Sequence, residues 1–182
     1  MDDETLRAEL EKHHRESYGW ALSCCARDPG EAEDVLQTVY LKVLDGRARF
    51  DERASFKTWL LAVVRNTAAD EWRRKHRQQL RLTELDESDR PAPEAAPDES
   101  VHRAQVSGLL ASALAALSAR QQEVLRLVFY HDLSLSEAAE VMDVSLGSAR
   151  THYERGKKNL RQRLQQMKVF DERGRTNQET VP

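Results

Sequence analysis

The feature that most constrains the fold is the segment from Leu133 to Leu164, which predicts two helices separated by a tight turn. In the first helix, apolar residues recur every three or four positions and define one buried face; they are Leu135, Ala138, Ala139 and Met142. Asp143 then interrupts the pattern, and its short side chain tolerates the left-handed backbone that a sharp turn requires. Ser145 follows as a predicted N-cap, because its hydroxyl can accept from an amide of the first turn.

The second helix of this segment is predicted to bury Ala149, Tyr153 and Leu160, while the small Ala138 and Ala139 would let the two helices cross closely. Its cations are expected on the other faces; they are Arg150, Arg155, Lys157, Lys158, Arg161 and Arg163. A turn, a cap and one-sided positive charge together are typical of a helix-turn-helix, whose second helix enters the major groove of DNA. A cationic hairpin that is only a solvated surface is the alternative, and we favour DNA binding.

The composition favours an all-α protein. The chain has 182 residues, few aromatic residues and no isoleucine, which is unusual for a protein rich in strands. Its net charge of -3 does not predict nucleic-acid binding, but the charge is unevenly distributed. Residues 57–81 and residues 141–168 each carry seven Lys or Arg against two acidic residues. The chain therefore has two predicted basic faces.

We expect two small helical domains with a linker between them. The first covers residues 1–82 and is predicted to be helical from residue 3, apart from loops near residues 28–30 and 46–54. Residues 83–100 hold three prolines, seven acidic residues and one arginine. Proline and like-charge repulsion prevent packing, so this stretch predicts a flexible acidic linker. The second domain covers 101–167, and 168–182 lacks an apolar face and is expected to be a disordered tail.

The first domain is predicted to contain a helix over residues 31–44, ending at Gly46, and a second helix that begins at Phe56. The expected core face of the second helix consists of Phe56, Trp59, Leu60, Val63 and Val64. Trp59 and Trp72 could stack on unpaired bases. We favour a core position for both, because apolar residues surround them at helical spacing.

No targeting or cofactor signal stands out. No apolar run reaches membrane-spanning length and the acidic N-terminus does not resemble a signal peptide, so a cytoplasmic location is expected. Cys24 and Cys25 are adjacent and are predicted to be buried thiols rather than metal or redox ligands. His13 and His14 are not expected to form a metal site with them, since adjacent residues point to different helix faces. No metal or other cofactor is expected.

Several stretches resemble, in order and spacing, regions two and four of bacterial sigma factors. They are EAEDVLQTVYLKVLDG, FKTWLLAVVRNTAADEWRRKHR, LSARQQEVL, LSLSEAAEVMDVSLGSAR and RGKKNL. The length is similar to that of the extracytoplasmic-function class, group four. The resemblance implies sigma region two in residues 1–82 and sigma region four, with its helix-turn-helix, in residues 101–167.

This resemblance implies an alternative sigma factor that binds core RNA polymerase and directs initiation at a two-part promoter, without catalysis of its own. Contact with polymerase, at the clamp coiled coil of its largest subunit and at the flap, is implied, and the clamp contact falls on Asp34, Gln37, Thr38 and Leu41. Recognition and melting of the minus-ten DNA is implied for Arg53, Lys57, Arg65, Asn66, Asp70, Arg73 and Arg74. Contact with the minus-thirty-five DNA is implied for Ser148, Arg150, Thr151, Arg155 and Lys158. An anti-sigma factor that covers the same surfaces is the implied regulator.

Three residues in the second helix of the helix-turn-helix depart from the pattern of the family. His152 stands where many members have arginine, Glu154 occupies a position that often faces the groove, and Gly156 replaces a usual alanine. A carboxylate near base edges is unfavourable unless it accepts from cytosine N4. A glycine in mid-helix costs about 1 kcal/mol relative to alanine. The individual base contacts therefore stay open.

Two other classes of function fit the sequence less well. A stand-alone helix-turn-helix regulator that binds DNA as a dimer is disfavoured by the acidic linker and by the second basic domain. A metal-dependent enzyme would have to use residues such as His13, His14, Cys24, Cys25 or His102. The sequence has no HExxH motif and no paired-carboxylate or nucleophile arrangement that would support one. We therefore expect a protein that is not an enzyme.

Overall fold

The computed structural model describes residues 2–82, 108 and 110–176, and every element of regular structure within these residues is an α-helix. The predicted all-α fold is confirmed. The chain divides into an N-terminal and a C-terminal compact unit. The predicted linker at 83–100 lies outside the described residues. Among the described helices, none is both long and apolar enough to cross a bilayer.

The described residues of the N-terminal unit form four helices, which are α1 (Asp3–Lys12), α2 (His14–Cys24), α3 (Pro29–Leu44) and α4 (Phe56–Leu82). Side-chain caps begin three of them. Ser55 caps α4, where its hydroxyl accepts from the Thr58 amide at 3.1 Å. The carboxylate of Asp2 accepts from the Thr5 amide at 2.8 Å, and that of Asp28 accepts from the Glu31 amide at 2.9 Å. Gly46 follows α3 with a φ of +69°, as expected of a glycine just beyond a helix end.

The start of the chain differs from the prediction of one helix from residue 3 to the first loop. Helix α1 ends at Lys12 and α2 begins at His14. The intervening His13 stacks on the Phe56 ring of α4, with ring centroids 6.1 Å apart, and its ring nitrogens lie 3.5 Å from Glu9 and 3.4 Å from Glu16. Neither glycine nor proline marks this position, so tertiary contacts explain a break that local propensity does not predict.

The core of the N-terminal unit lies between α2, α3 and α4, which pack on one another. Trp20 of α2 is 1% exposed, and its indole N–H donates to the Leu61 carbonyl oxygen at 3.0 Å. The core side chains predicted for α4 are only partly confirmed. Phe56, Leu60 and Val64 are buried, together with Leu61, whereas Trp59 and Val63 are half-buried.

Ser17 of α2 is fully buried, and its hydroxyl oxygen has no hydrogen-bond partner among the described residues. We expect Ser17→Ala to raise the free energy of unfolding by about 1 kcal/mol, because the buried hydroxyl is lost and helix propensity increases. Urea denaturation followed by tryptophan fluorescence measures this. Ser23→Ala is the control, since the Ser23 hydroxyl donates to the Gly19 carbonyl at 3.1 Å. A Ser17→Ala protein less stable than wild type would contradict the expectation.

In the C-terminal unit, helical residues 110–115 precede α5 (Ala119–Phe129), α6 (Leu135–Met142) and α7 (Leu146–Thr176). Helices α5 and α7 pack against each other. Ala138, Ala139 and Ala149 are buried, as predicted. Tyr153 and Leu160, which were also predicted to be buried, are half-buried.

Helix α7 is longer than predicted. The sequence placed its end at about residue 167 and a disordered tail at 168–182, but the helix continues to Thr176. The absence of an apolar face argues against packing, not against helix formation. Once a helix exists, each further residue adds a hydrogen bond at low entropic cost, and residues 168–173 include neither glycine nor proline. Residues 177–182 lie outside the described residues.

Candidate functional site

The turn between α6 and α7 has the predicted local geometry. Asp143 has a φ of +52°, and the Ser145 hydroxyl accepts from the Ser148 amide at 3.2 Å. Helix α6 begins with a capping box that the sequence reasoning missed, although the Ser134-x-x-Glu137 spacing carries the signal. The Ser134 amide donates to the Glu137 carboxylate at 2.9 Å, and the Glu137 amide donates to the Ser134 hydroxyl at 3.3 Å. Both helices of the helix-turn-helix are therefore capped by their own sequence.

The five residues of α7 that the sequence assigned to DNA are all exposed; they are Ser148, Arg150, Thr151, Arg155 and Lys158. At 100° per residue, Thr151, Arg155 and Lys158 share one face of the helix. Arg150 lies about 100° around the helix from Thr151, beside this face. No described carboxylate forms an ion pair with Arg150, Arg155 or Lys158. The Thr151 hydroxyl donates to the Gly147 carbonyl at 2.9 Å, so it can only accept from a further group. The cations are consequently the groups that this face offers to an anion.

Glu154 also lies on the exposed face of α7, where a carboxylate would oppose DNA binding. Its oxygen lies 3.0 Å from the Lys157 ammonium group, which in turn is 4.4 Å from the centroid of the Tyr153 ring. Tyr153 stacks on Phe129 of α5, with centroids 5.9 Å apart. The carboxylate therefore has a positively charged neighbour held against the domain, which reduces its repulsion of an approaching phosphate.

Gly156 is buried where α7 crosses α5. A Cβ atom at this position would lie 3.1 Å from Leu125 Cδ1 and 3.4 Å from Gln121 Cβ. Contacts under 3.4 Å are tighter than those that methyl groups normally make in a protein interior. The close approach of the two helices thus explains the glycine at position 156. From the sequence alone, this glycine predicts only a lower helix propensity.

In the N-terminal unit, the four residues assigned to polymerase binding lie together on α3; they are Asp34, Gln37, Thr38 and Leu41. They line a groove of about 560 Å³ whose other walls come from the C-terminal end of α2 and the second half of α4. Leu41, in the last turn of α3, is 61% exposed. The strip mixes carboxylate, amide, hydroxyl and aliphatic groups, as protein-protein interfaces do.

Trp72 belongs to the opposite wall of this groove, and its predicted core position is wrong. It is 65% exposed and stacks on His76, with ring planes 7° apart and centroids at 5.2 Å. The last buried side chain described on α4 is Ala68, so the apolar spacing continues along the helix beyond the elements that cover it. Trp59 is half-buried and contacts Phe56, at a centroid distance of 5.2 Å.

Both cysteines line the groove. Cys25 is buried as predicted, and burial, followed by the charge of Glu31, raises the pKa of its thiol to about 11. Cys24 is half-buried rather than buried. Within the described ranges, no cluster of three or more His, Cys, Asp and Glu side chains could hold a metal ion. His102 lies outside those ranges.

The residues of α4 assigned to the minus-ten DNA do not form one patch. Asn66, Asp70 and Arg73 fall on one exposed face, and the Arg73 guanidinium donates to Asp70 at 2.9 Å. Arg74 pairs with Glu71 at 2.6 Å and lines the groove instead. Arg65 lies about 100° around the helix from Asn66. Both arginine-carboxylate pairs join residues three positions apart, and they hold the guanidinium groups along the helix surface.

The two remaining minus-ten candidates lie around the start of α4. Arg53 is in the preceding loop, is 87% exposed and lies 3.1 Å from the Asp51 carboxylate. The Lys57 side chain is 21% exposed, and its ammonium group lies 3.0 Å from Glu16 of α2. Partial burial alone would raise the pKa of the Glu16 carboxyl, but the hydrogen bond and charge of Lys57, followed by those of His13, lower it. Lys57 therefore also links α4 to α2.

The lowered pKa predicts a pH dependence of stability. The contribution of ionised Glu16 is complete above the unfolded-state pKa of about 4.3 and is lost as the pH falls through the lower folded-state value. Lys57→Met should therefore lower the free energy of unfolding at pH 7. The gap, which is the difference in this free energy from wild type, should become smaller below about pH 4. Urea denaturation between pH 3 and 7 measures the gap. Lys12→Met, which removes an exposed pair with Glu9, is the control, and a gap independent of pH would contradict the expectation.

Comparisons with known proteins match both units. Residues 10–78 match the Sigma-70 region 2 family, and residues 113–162 match the Sigma-70, region 4 family. The chain is 30% identical to the ECF RNA polymerase sigma factor SigX of Bacillus subtilis, over 90% of this chain and 85% of that protein. It is 37% identical to the ECF RNA polymerase sigma factor SigF of Caulobacter vibrioides, over 75% of this chain and 72% of that protein.

Solved structures share the fold. The sigma factor RpoE from Bartonella quintana, in its complex with the anti-sigma factor NepR, has a TM-score of 0.66 and 22% identity over 87% of this chain and 96% of that chain. CnrH, in complex with the cytosolic domain of CnrY, has a TM-score of 0.61 and 19% identity, over 90% of each chain. At these identities, the similarity concerns the arrangement of the helices.

Proposed function

Because the chain belongs to the sigma-70 family, among the ECF RNA polymerase sigma factors, we propose that its two units recruit core RNA polymerase and read the two elements of a promoter. As a sigma factor, it acts in transcription initiation with core polymerase and promoter DNA, and it catalyses no reaction of its own. The observation that carries the proposal is the match of regions two and four, in order, to the two helical units.

Polymerase docking is assigned to the α3 strip of Asp34, Gln37, Thr38 and Leu41. The exposure of Asp34, Gln37 and Leu41, the mixed chemistry of the strip and its position on a groove support this assignment. The partner is the clamp coiled coil of the largest subunit, while the C-terminal unit contacts the flap. A strip at i, i+3, i+4 and i+7 suits a helical partner, which presents side chains at the same spacing.

Minus-ten recognition is assigned to α4 and to the loop before it. The exposed face with Asn66, Asp70 and Arg73 supports a contact with the upstream duplex edge, and Arg53 supports a backbone contact from the loop. Arg65 and Lys57 are half-buried and Arg74 lines the groove, so these three are assigned to the positioning of this surface and to phosphate contacts at its edges. Strand opening costs a few kcal/mol of base stacking for each extruded base, which such contacts offset.

Minus-thirty-five recognition is assigned to α7. Arg150 and Arg155 can bridge the O6 and N7 atoms of guanine, while Ser148 and Lys158 suit phosphate oxygens. The Thr151 hydroxyl, which donates to Gly147, is assigned to accept from a base amino group. The capped turn before α7 fixes where this helix begins. Arg150, Arg155 and Lys158, which pair with no described carboxylate, support a contact with DNA.

An anti-sigma factor is proposed as the regulator. Two of the structures with this fold are described as complexes with such an inhibitor or with the cytosolic domain of a partner protein. We further propose that the protein acts in the cytoplasm, where core polymerase and promoter DNA are found.

Reconstituted transcription tests the proposal. Purified protein is added to sigma-free core polymerase on a library of genomic promoter fragments, and transcript starts are mapped. We expect specific starts downstream of a shared two-part motif, and none without the protein. DNA binding without polymerase, combined with failure to support initiation on any template, would instead indicate a stand-alone helix-turn-helix regulator.

A further inference from the structure

The groove of the N-terminal unit has two walls, and the sequence resemblance assigns only one of them to polymerase binding. Asp34, Gln37 and Leu41 of α3 form the first wall, and Trp72 and His76 of α4 line the other. We propose that core polymerase contacts both walls. The Trp72–His76 stack is then a second binding element, which contacts the same clamp coiled coil as the α3 strip. This proposal rests on the proposed function and adds to it the residues of α4.

Exposed apolar side chains are concentrated at this groove. Among the described residues of the N-terminal unit, the large hydrophobic side chains that are exposed are Leu41, Leu44 and Trp72, and two of the three line it. Exposing a tryptophan side chain to water is unfavourable. Tryptophan is also enriched among the interface residues that contribute most of the binding free energy. Continuity with the α3 strip therefore indicates the same partner for Trp72.

The second wall is also pre-organised. Trp72 is fixed by its stack on His76, and the neighbouring Lys75 ammonium group lies 3.2 Å from the Glu31 carboxylate of α3. The ion pair joins the two helices across the groove. An anchor that is already ordered loses little side-chain entropy on binding, which favours affinity.

DNA is the competing partner for an exposed tryptophan, and the geometry of α4 argues against it. Asn66, Asp70 and Arg73 define the face assigned to duplex DNA, and Trp72 lies about 120° around the helix from Asn66. Arg74 also lines the groove, but it is assigned only to phosphate contacts at the edge of that face and is paired with Glu71. Trp72 faces the groove with the polymerase-binding strip, rather than the surface of the helix that carries these polar side chains.

The test measures the affinity of fluorescently labelled protein for sigma-free core polymerase without DNA. We expect Trp72→Ala to weaken binding about tenfold or more and Trp72→Phe to retain most of the affinity, since a phenyl ring keeps part of the wall. Arg77→Ala is the control, because Arg77 is exposed on the same helix but does not line the groove, and its affinity should equal that of wild type.

Folding is checked by circular dichroism, and Trp72→Ala should melt like wild type because the side chain is 65% exposed. Wild-type affinity of Trp72→Ala would overturn the proposal. In that case, a defect limited to promoter opening would assign Trp72 to base stacking, and no defect at all would leave it without a role in initiation. If the wild-type protein itself failed to bind polymerase, the proposed function would fail instead, so the two failures are distinguishable.

Discussion

Replacing Arg150 with alanine is expected to weaken promoter binding by the polymerase complex by about 1–3 kcal/mol, and to relax the preference at a single base pair of the minus-thirty-five element. Arg150 is exposed in the first turns of α7, next to the Ser145 cap, and it forms no ion pair with a described side chain. The N-terminal residues of a recognition helix approach base edges most closely. Selection of bound sequences from a randomised promoter library, for wild type and variant, measures the change.

Lys158→Ala is the matched comparison, because Lys158 is an exposed cation two turns further along the same helix. As a phosphate contact, it should lower affinity for all sequences alike and reduce the slope of log affinity against log salt by about 1. Equal weakening of every sequence by Arg150→Ala would show that Arg150 is also a backbone contact. The assignment of base readout to this position would then be wrong.

Features with a short-range signal were predictable from the sequence. The turn at Asp143, the cap at Ser145 and the end of α3 before Gly46 each depend on the conformational preference of one residue, and all three are present. The four residues of the α3 strip lie on one side of the helix for the same reason, since their spacing alone decides which face they share.

Features that depend on distant neighbours were not predictable. Helical periodicity indicates that Trp72 shares a face with other apolar residues, but it cannot show that none of the described helices covers this end of α4. The ion pair of Lys57 with Glu16 and the break at His13 likewise depend on how α2 packs on α4. For this reason, the residues assigned to minus-ten DNA differ in exposure and direction although they are close in sequence.

Gly156 is the clearest case of a long-range requirement, and it leads to the prediction with the largest expected effect on stability. Gly156→Leu should destabilise the C-terminal unit by about 1–3 kcal/mol or more, because its side chain would have to displace Leu125, which is 2% exposed. It would also press on Gln121, which accepts a hydrogen bond from the Asn159 amide at 3.1 Å. Gly156→Ala should change stability much less, since a gain of about 1 kcal/mol in helix propensity opposes the tight contact.

The distribution of tryptophan makes this measurement specific. All three tryptophans lie in residues 1–82, so their fluorescence follows unfolding of the N-terminal unit, whereas circular dichroism follows the helices of both units. Gly156→Leu should lower the midpoint of part of the dichroism transition and leave the fluorescence transition unchanged. Gly147→Leu is the control, because a Cβ at Gly147 approaches nothing closer than the Ser145 hydroxyl at 3.9 Å. If both leucine variants melted alike, close packing of α5 on α7 would not be the reason for glycine at position 156.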